Sequence, residues 1–234
     1  MVYLTGDTHG DFNRIKRFCE QQNTTVDDIL IILGDAGINY YGDWNDVAIK
    51  RYVSELPITL FCIHGNHERR PHTIHTYTER EFHGGTVWIE EKYPNILFAK
   101  DGETFDFEGK KCIVIGGAYS VDKHYRLAKG WYWFPDEQPS EEIKRRVEDK
   151  LLSVGYKIDI VLSHTCPLKY EPVECFLSGV DQSKVDKSTE KWLDTIETML
   201  VYEKWYCGHY HIAKSIDKVR FMFEDYDTLT SGRM

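Results

Sequence analysis

The chain has no Cys-x-x-Cys pair, no Gly/Ser linker, no low-complexity tract and no apolar run of membrane-spanning length. Each absence closes a class. Six cysteines are scattered through 234 residues, which argues against a zinc ribbon and a disulfide scaffold and for reduced thiols in a cytoplasmic protein. Cys166 stands two residues after His164, a spacing compatible with a metal role, yet such thiols more often pack as small hydrophobes. Without a long apolar run there is no membrane-spanning helix. The chain opens directly in a strand-like run with no leader before it, so a soluble, cytoplasmic protein is expected. There is no stripe of lysine and arginine, and the formal charge is −9 with a pI near 5.6. That argues against binding a nucleic-acid backbone, though not against a small phosphorylated substrate. No composition break marks a boundary, so a single domain over 1–234 is expected, long enough to bury its own core.

What is present is a set of short apolar runs that each stop at Asp, His or Asn. Val2–Thr5 leads into Gly6-Asp7-Thr8-His9-Gly10, and Ile29–Leu33 into Gly34-Asp35. Ile58–Ile63 leads into His64-Gly65-Asn66-His67-Glu68. Ile160–Leu162 leads into Ser163-His164, and Lys204–Cys207 into Gly208-His209-Tyr210-His211. Such runs read as buried strands followed by tight turns. Ligands of open α/β sheets bind beyond the carboxyl ends of the strands, so five such ends describe one site.

The spacing predicts a helix after Gly10, capped by Asp11 and burying Phe12, Ile15, Phe18 and Cys19. A second spans Asp43 to Leu56 with Ile49, Tyr52, Val53 and Leu56 inward, stopped by Pro57. The first third is therefore strand–helix–strand–helix–strand, with parallel strands and right-handed crossovers. Thr86–Ile89, Asn95–Phe98, Glu103–Phe107 and Lys111–Ile115 read as an antiparallel meander. Helices follow over Ser140–Tyr156 and Ser188–Val201, the latter with Trp192, Ile196 and Met199 inward, and Val219–Glu224 alternates like an edge strand. Two stacked sheets with helices outside are expected. Residues 119–139 are irregular, rich in aromatics and cations, and long for a loop, which suits a segment flanking a site or a packed flap.

Asp7 and His9 point the same way on an extended backbone, as do His209 and His211. Asp35, Asn66 and His164 add one ligand each, and seven ligands exceed the need of one tetrahedral ion. They suit two ions sharing the Asp35 carboxylate. An O/N donor set without thiolate favours Mn, Fe, Zn, Co or Ni over Cu(I) or Ca. Two such ions clamp a phosphoryl group and activate a water for in-line attack. His67, beside Asn66, is placed to protonate a leaving oxygen.

Gly6-Asp7-Thr8-His9-Gly10, Gly34-Asp35, Gly65-Asn66-His67-Glu68, His164 and Gly208-His209-Tyr210-His211 resemble the calcineurin-like metallophosphoesterase superfamily over nearly the whole chain. The resemblance implies an α/β fold, a four-layer α/β/β/α sandwich of two stacked mixed sheets. It implies one metal held by Asp7, His9, Asp35 and His211 and another by Asp35, Asn66, His164 and His209, with His67 and Asp35 catalytic. The cofactors would be two divalent ions, manganese first. The activity would be hydrolysis of phosphomonoesters or phosphodiesters by metal-bound water, on a phosphorylated small-molecule or protein substrate. Gly116-Gly117-Ala118-Tyr119-Ser120 resembles a glycine turn of bacterial members. Protein Ser/Thr phosphatases of the superfamily carry a further Asp and Arg after the second motif, where this chain has Ile38 and Asn39. Arg69, Arg70 or Arg126 is then expected to supply the missing phosphate contact. A Ser/Thr protein phosphatase, a nucleotide phosphodiesterase and a non-catalytic scaffold on the same fold are the competing readings.

Overall fold

Short runs of β-branched and aromatic residues become strands because alternate side chains can be buried on both faces of a sheet. A computed structural model describes residues 1–229. Its elements run β1 (Val2–Thr5), α1 (Phe12–Gln22), β2 (Ile29–Ile32), α2 (Trp44–Ser54), β3 (Thr59–Cys62), β4 (Thr78–Phe82), β5 (Gly85–Ile89), β6 (Ile96–Ala99), β7 (Thr104–Phe107) and β8 (Lys110–Ile115). They continue α3 (Lys123–Lys129), α4 (Glu141–Ser153), β9 (Ile160–Ser163), α5 (Ser188–Met199), β10 (Lys204–Cys207), β11 (Lys214–Ile216), β12 (Val219–Phe221) and β13 (Tyr226–Thr228).

The strands form two mixed sheets, a seven-stranded one in the order β13-β1-β2-β3-β6-β5-β4 and a six-stranded one in the order β11-β12-β10-β9-β8-β7. The first three strands are parallel and in step: Thr5 pairs with Ile32, and Ile32 with Cys62. In the second sheet Ile115 pairs with Ser163, and Tyr206 with Leu162. This register brings the motifs after β1, β2 and β3, and those after β9 and β10, out side by side.

Alternation along the strands sorts the buried residues into three clusters. Ile29, Ile31, Phe61 and Ile63 meet Phe105, Phe107, Val114 and Leu162 between the sheets. Leu30, Ile32, Leu60 and Cys62 face the other way, against Phe12, Ile15 and Phe18 of α1 and Val53 of α2. Ile113, Val161, Trp205 and Phe221 pack under Ile143, Val147 and Leu151 of α4 and Leu193 and Ile196 of α5. Three interlayers make the four-layer α/β/β/α sandwich.

Several local expectations are corrected. The central strands are not one meander: β5 and β6 pair in the first sheet and β7 and β8 in the second. Alternation cannot say which sheet a strand joins, because both inner faces are apolar. The strand at Val219 is not an edge, since β10 and β11 flank β12 on its two sides. β4 and β13 were not anticipated. On α5 the buried stripe runs Thr189, Leu193, Ile196, and Met199 is exposed; Trp192 lies on the flank, its indole N–H donating to Glu148 at 2.8 Å. On α2, Tyr52 is exposed and reaches Asn13 instead. The segment 119–139 contains a helix, α3. Cys166 is buried in the apolar cluster under α4 and α5, away from any ligand role. Among the described residues no helix is long and apolar enough to cross a membrane.

Glu190, in the first turn of α5, is buried and accepts a hydrogen bond from Thr165 Oγ1 at 2.8 Å. Burial pushes its carboxyl up to about 7. An elevated folded-state value favours the protonated fold, so this contribution to stability is complete below the unfolded value near 4.5 and is lost as pH rises through about 7. Between pH 5 and 8, Glu190→Gln should therefore lose about 2 kcal/mol less stability than the unsubstituted protein in urea unfolding. An unchanged difference between the two pH values would contradict the buried-acid assignment.

Candidate metal centre

The polar residues beyond β1, β2, β3, β9 and β10 converge at one level. Asp7 Oδ2 lies 3.1 Å from His211 Nε2, which lies 2.9 Å from His9 Nε2. Asp35 Oδ2 lies 3.9 Å from His9 Nε2 and 3.7 Å from His164 Nε2. Asn66 Oδ1 receives two imidazoles, His164 Nε2 at 2.8 Å and His209 Nδ1 at 3.0 Å. Two ligand clusters result, Asp7–His9–His211 and Asp7–Asp35–His164, each with ligand atoms within 4.8 Å of one another. All seven residues singled out from the sequence are thus brought together.

The donor chemistry fits divalent cations. His164 Nδ1 faces the Leu33 carbonyl at 2.8 Å. A carbonyl only accepts, so Nδ1 carries a proton, and Nε2 is the nitrogen turned toward the site. Asn66 Nδ2 donates to Ser120 Oγ at 2.9 Å, which leaves Oδ1 turned toward the imidazoles. Burial, and then the neighbouring His164, lowers His209 to about 3, which keeps the His209 ring neutral and able to offer a lone pair. Burial alone would raise Asp7 and Asp35. The His211 hydrogen bond and surrounding imidazoles outweigh it at Asp7, and His164 and His67 do so at Asp35, holding both carboxylates ionised. A buried group of carboxylates, lone-pair imidazoles and an amide oxygen, with no thiolate, suits Mn, Fe, Zn, Co or Ni.

Each carboxylate is oriented by backbone. Asp7 Oδ1 accepts the His209 N–H at 2.9 Å, and Asp35 Oδ1 accepts the His67 N–H at 2.8 Å. Both oxygens lie over bare glycines: a Cβ on Gly208 would overlap Asp7 Oδ1, and one on Gly65 would overlap Asp35 Oδ1. Asp35 Oδ1 thus holds the His67 backbone while Oδ2 faces His9 and His164. His9, Asp35, His209 and His211 have φ between 46° and 65°. Four of seven candidate ligands therefore hold a left-handed backbone that non-glycine residues rarely adopt, a kind of strain that clusters at functional sites.

The sequence reading missed supports. Arg14 of α1 donates to the Asp7 and Gly6 carbonyls at 2.8 and 3.2 Å, clamping the end of β1. Glu137 accepts from Ser120 Oγ at 2.6 Å and from Trp133 Nε1 at 2.7 Å, so a chain of hydrogen bonds aims Asn66. The Gly116–Ser120 turn carried a signal for Ser120; nothing marked Glu137. The three candidate arginines part ways. Arg126 of α3 places Nη2 3.3 Å from His67 Nε2, steadied by Asp122 at 2.7 Å and Tyr40 OH at 3.2 Å. Arg69 lies against Gly42. Arg70 is buried away from the ligands in an ion pair with Asp101 at 2.5 Å and does not reach the site. The positions of Ile38 and Asn39 are spent on packing: Ile38 sits in the cluster under α1 and α2, and Asn39 exchanges hydrogen bonds with Tyr77.

Residues 1–213 match the Calcineurin-like phosphoesterase family. No curated protein matches the chain. Among solved structures, TT1561 of Thermus thermophilus is 13% identical, with 89% of this chain and 80% of that one covered and a TM-score of 0.48. A protein of unknown function from Aquifex aeolicus, AQ665, is 14% identical, with 73% and 81% covered and a TM-score of 0.33. The chain belongs to the calcineurin-like phosphoesterase family, which supports a metal-dependent phosphoesterase in general.

Gly208→Ala should displace Asp7 and weaken binding of added manganese at least about tenfold, by calorimetric titration, while leaving the circular dichroism spectrum unchanged. Undiminished metal binding would show that the Asp7 position is not required.

Proposed function

We propose that this family member hydrolyses phosphomonoesters or phosphodiesters at a centre holding two divalent ions, manganese first. The observation that carries the reading is that two ligand clusters, Asp7–His9–His211 and Asp7–Asp35–His164, meet at the buried Asp7 with Asp35 beside it. His9, His211 and Asp7 would hold one ion, Asn66, His164 and His209 the other, with Asp35 between them. When bound, the pair would supply a nucleophilic water and neutralise phosphoryl oxygens.

The remaining work falls to the chain. His67 stands with Nε2 3.9 Å from Asp35 Oδ2, at the wall of the same cavity. Burial lowers its pKa, with Asp35 acting in the other direction, so the ring gives up a proton more readily than free histidine does. Its place at that wall is what suits it to deliver a proton to a leaving oxygen. Arg126, beside His67, is the basic side chain positioned to contact a phosphoryl oxygen. It takes the place of the arginine that protein phosphatases carry after the second motif. The packing of Ile38 and Asn39 counts against a Ser/Thr protein phosphatase and favours a phosphorylated small molecule. The cysteines, all unpaired, support work in a reducing compartment, the cytoplasm.

Metal-depleted protein should be inactive on 4-nitrophenyl phosphate and bis(4-nitrophenyl) phosphate and regain hydrolysis with added manganese. Failure on both esters with every divalent metal tried would sink the enzyme reading in favour of a scaffold. His67→Ala should keep its metal and lose about 10²–10⁴ in kcat. Arg126→Ala should chiefly raise KM, and unchanged kinetics there would remove its assignment. Asp35→Asn should lose both metal and activity, and retained activity would contradict the shared-ligand role.

A further inference from the structure

The metal ligands form only one wall of a cavity of about 420 Å³. Much of the remaining lining is apolar: Val121, Phe176, Leu177, Val180, Val185 and Ile212. Most of these come from residues 168–187, a stretch of three short 3-10 turns at Leu168–Tyr170, Val173–Cys175 and Gln182–Lys184. Phe176, Val180 and Val185 belong to none of the three core clusters. Their apolar surface therefore serves the cavity and not the fold. Phe176 stacks on Tyr210 with ring centroids 6.3 Å apart, and Tyr210 sits between the ligands His209 and His211. An aromatic wall thus begins where the phosphoryl group would end.

The charge of the lining is one-sided. Asp122, Glu171 and Glu190 contribute to it, and no lysine or arginine does. Glu171 is paired with Lys187 at 2.7 Å and Asp122 with Arg126 at 2.7 Å. Glu190 is 4% exposed, and its Oε2 has no protein partner. An anionic group in this space would find no lysine or arginine in the lining, because the nearby cations Lys187 and Arg126 are already paired with Glu171 and Asp122, and its desolvation would go unrepaid. An uncharged ring would instead exchange water for apolar contacts.

We infer that the cavity selects a phosphoester carrying a single phosphoryl group on an uncharged, ring-bearing apolar moiety. Polyphosphates and acidic phosphopeptides are disfavoured. The inference rests on the phosphoesterase reading in taking the phosphoryl group as what the ligand clusters hold, and it adds what lies beyond that group.

Binding separates this question from catalysis. Manganese-loaded protein is titrated calorimetrically with ethylphosphonate, 2-phenylethylphosphonate and 2-(4-carboxyphenyl)ethylphosphonate, none of which can be hydrolysed. The phenyl compound should bind at least about tenfold more tightly than the ethyl compound, and the added carboxylate should abolish the gain. Val180→Asp and Val185→Asp lie on partly exposed loop positions outside the core. Each should remove most of the phenyl preference, weakening 2-phenylethylphosphonate by a much larger factor than ethylphosphonate. Equal affinity for the phenyl and ethyl compounds, or a preference that survives both substitutions, overturns the inference. In parallel, 2-phenylethyl phosphate and ethyl phosphate, whose leaving alcohols are both primary and unactivated, are offered as substrates. A phenyl preference in binding with no hydrolysis of either ester would count against the phosphoesterase reading and support the cavity assignment.

Discussion

Asp7 and Asp35 are both 2% exposed, and their carboxylates lie in one cluster with His164. Two ionised acids cannot share a buried space without nearby positive charge, and each unfavourably biases the other's ionised form. The protein does not answer this with a guanidinium. Arg14, close by, spends its donors on the Thr5 hydroxyl and on the Gly6 and Asp7 carbonyls. Histidines ring the acids instead, and imidazole is a group that either shares a proton or binds a cation. Much of the architecture follows from holding this arrangement rigid. Strands from both sheets must end at one level, glycines must leave room for the carboxylate oxygens, and four ligands must accept a left-handed backbone. Three apolar interlayers supply the rigidity that keeps those strand ends in place.

The candidate ligands were readable from the sequence because each follows a short apolar run directly, so the chain direction itself places them at carboxyl ends. The three-strand parallel start and the face of α1 were legible too, because the strands are unbroken apolar runs and the 3.6 period of α1 is kept. Legibility failed where one pattern served two outcomes. The runs forming β6 and β7 look alike, yet the chain leaves the first sheet between them. Val219–Phe221 alternates as an edge strand would, but the return of β11 covers its open side. Trp192 and Met199 share a helical stripe with Ile196, and only the tilt of α5 on its sheet decides for Leu193. Glu137 and the walls of the cavity could not be found, since neither a lone glutamate nor isolated valines in a polar stretch carry a period.

The second motif is where this chain departs from the pattern expected of protein phosphatases. At the point where protein phosphatases are expected to present an acid and an arginine, this chain turns inward. Ile38 enters the core and Asn39, at φ 65°, locks onto Tyr77. A guanidinium instead arrives from α3, a short helix on the aromatic segment, and reaches His67 from the opposite side of the site. Its position depends on Asp122 and Tyr40, from two different segments. Any substrate contact made by Arg126 is thus coupled to how the aromatic segment sits over the Tyr40 loop, where Tyr40 also meets Tyr132 and Phe134 edge-on.

This division of labour has a consequence for what can vary. The candidate metal ligands are tied into the core: Leu33 holds His164, Gly208 seats Asp7, and the β1–β2–β3 register aligns three of the motifs. A change there disturbs packing and chemistry together, because interiors are close-packed and transmit displacement. Phe176, Val180 and Val185 are tied into nothing comparable, and neighbouring Leu177 is largely exposed. Substitutions on such a surface usually cost little stability. The selective wall of the cavity can therefore be altered without loosening the centre, so the group beyond the phosphoryl is the property most open to change on this frame.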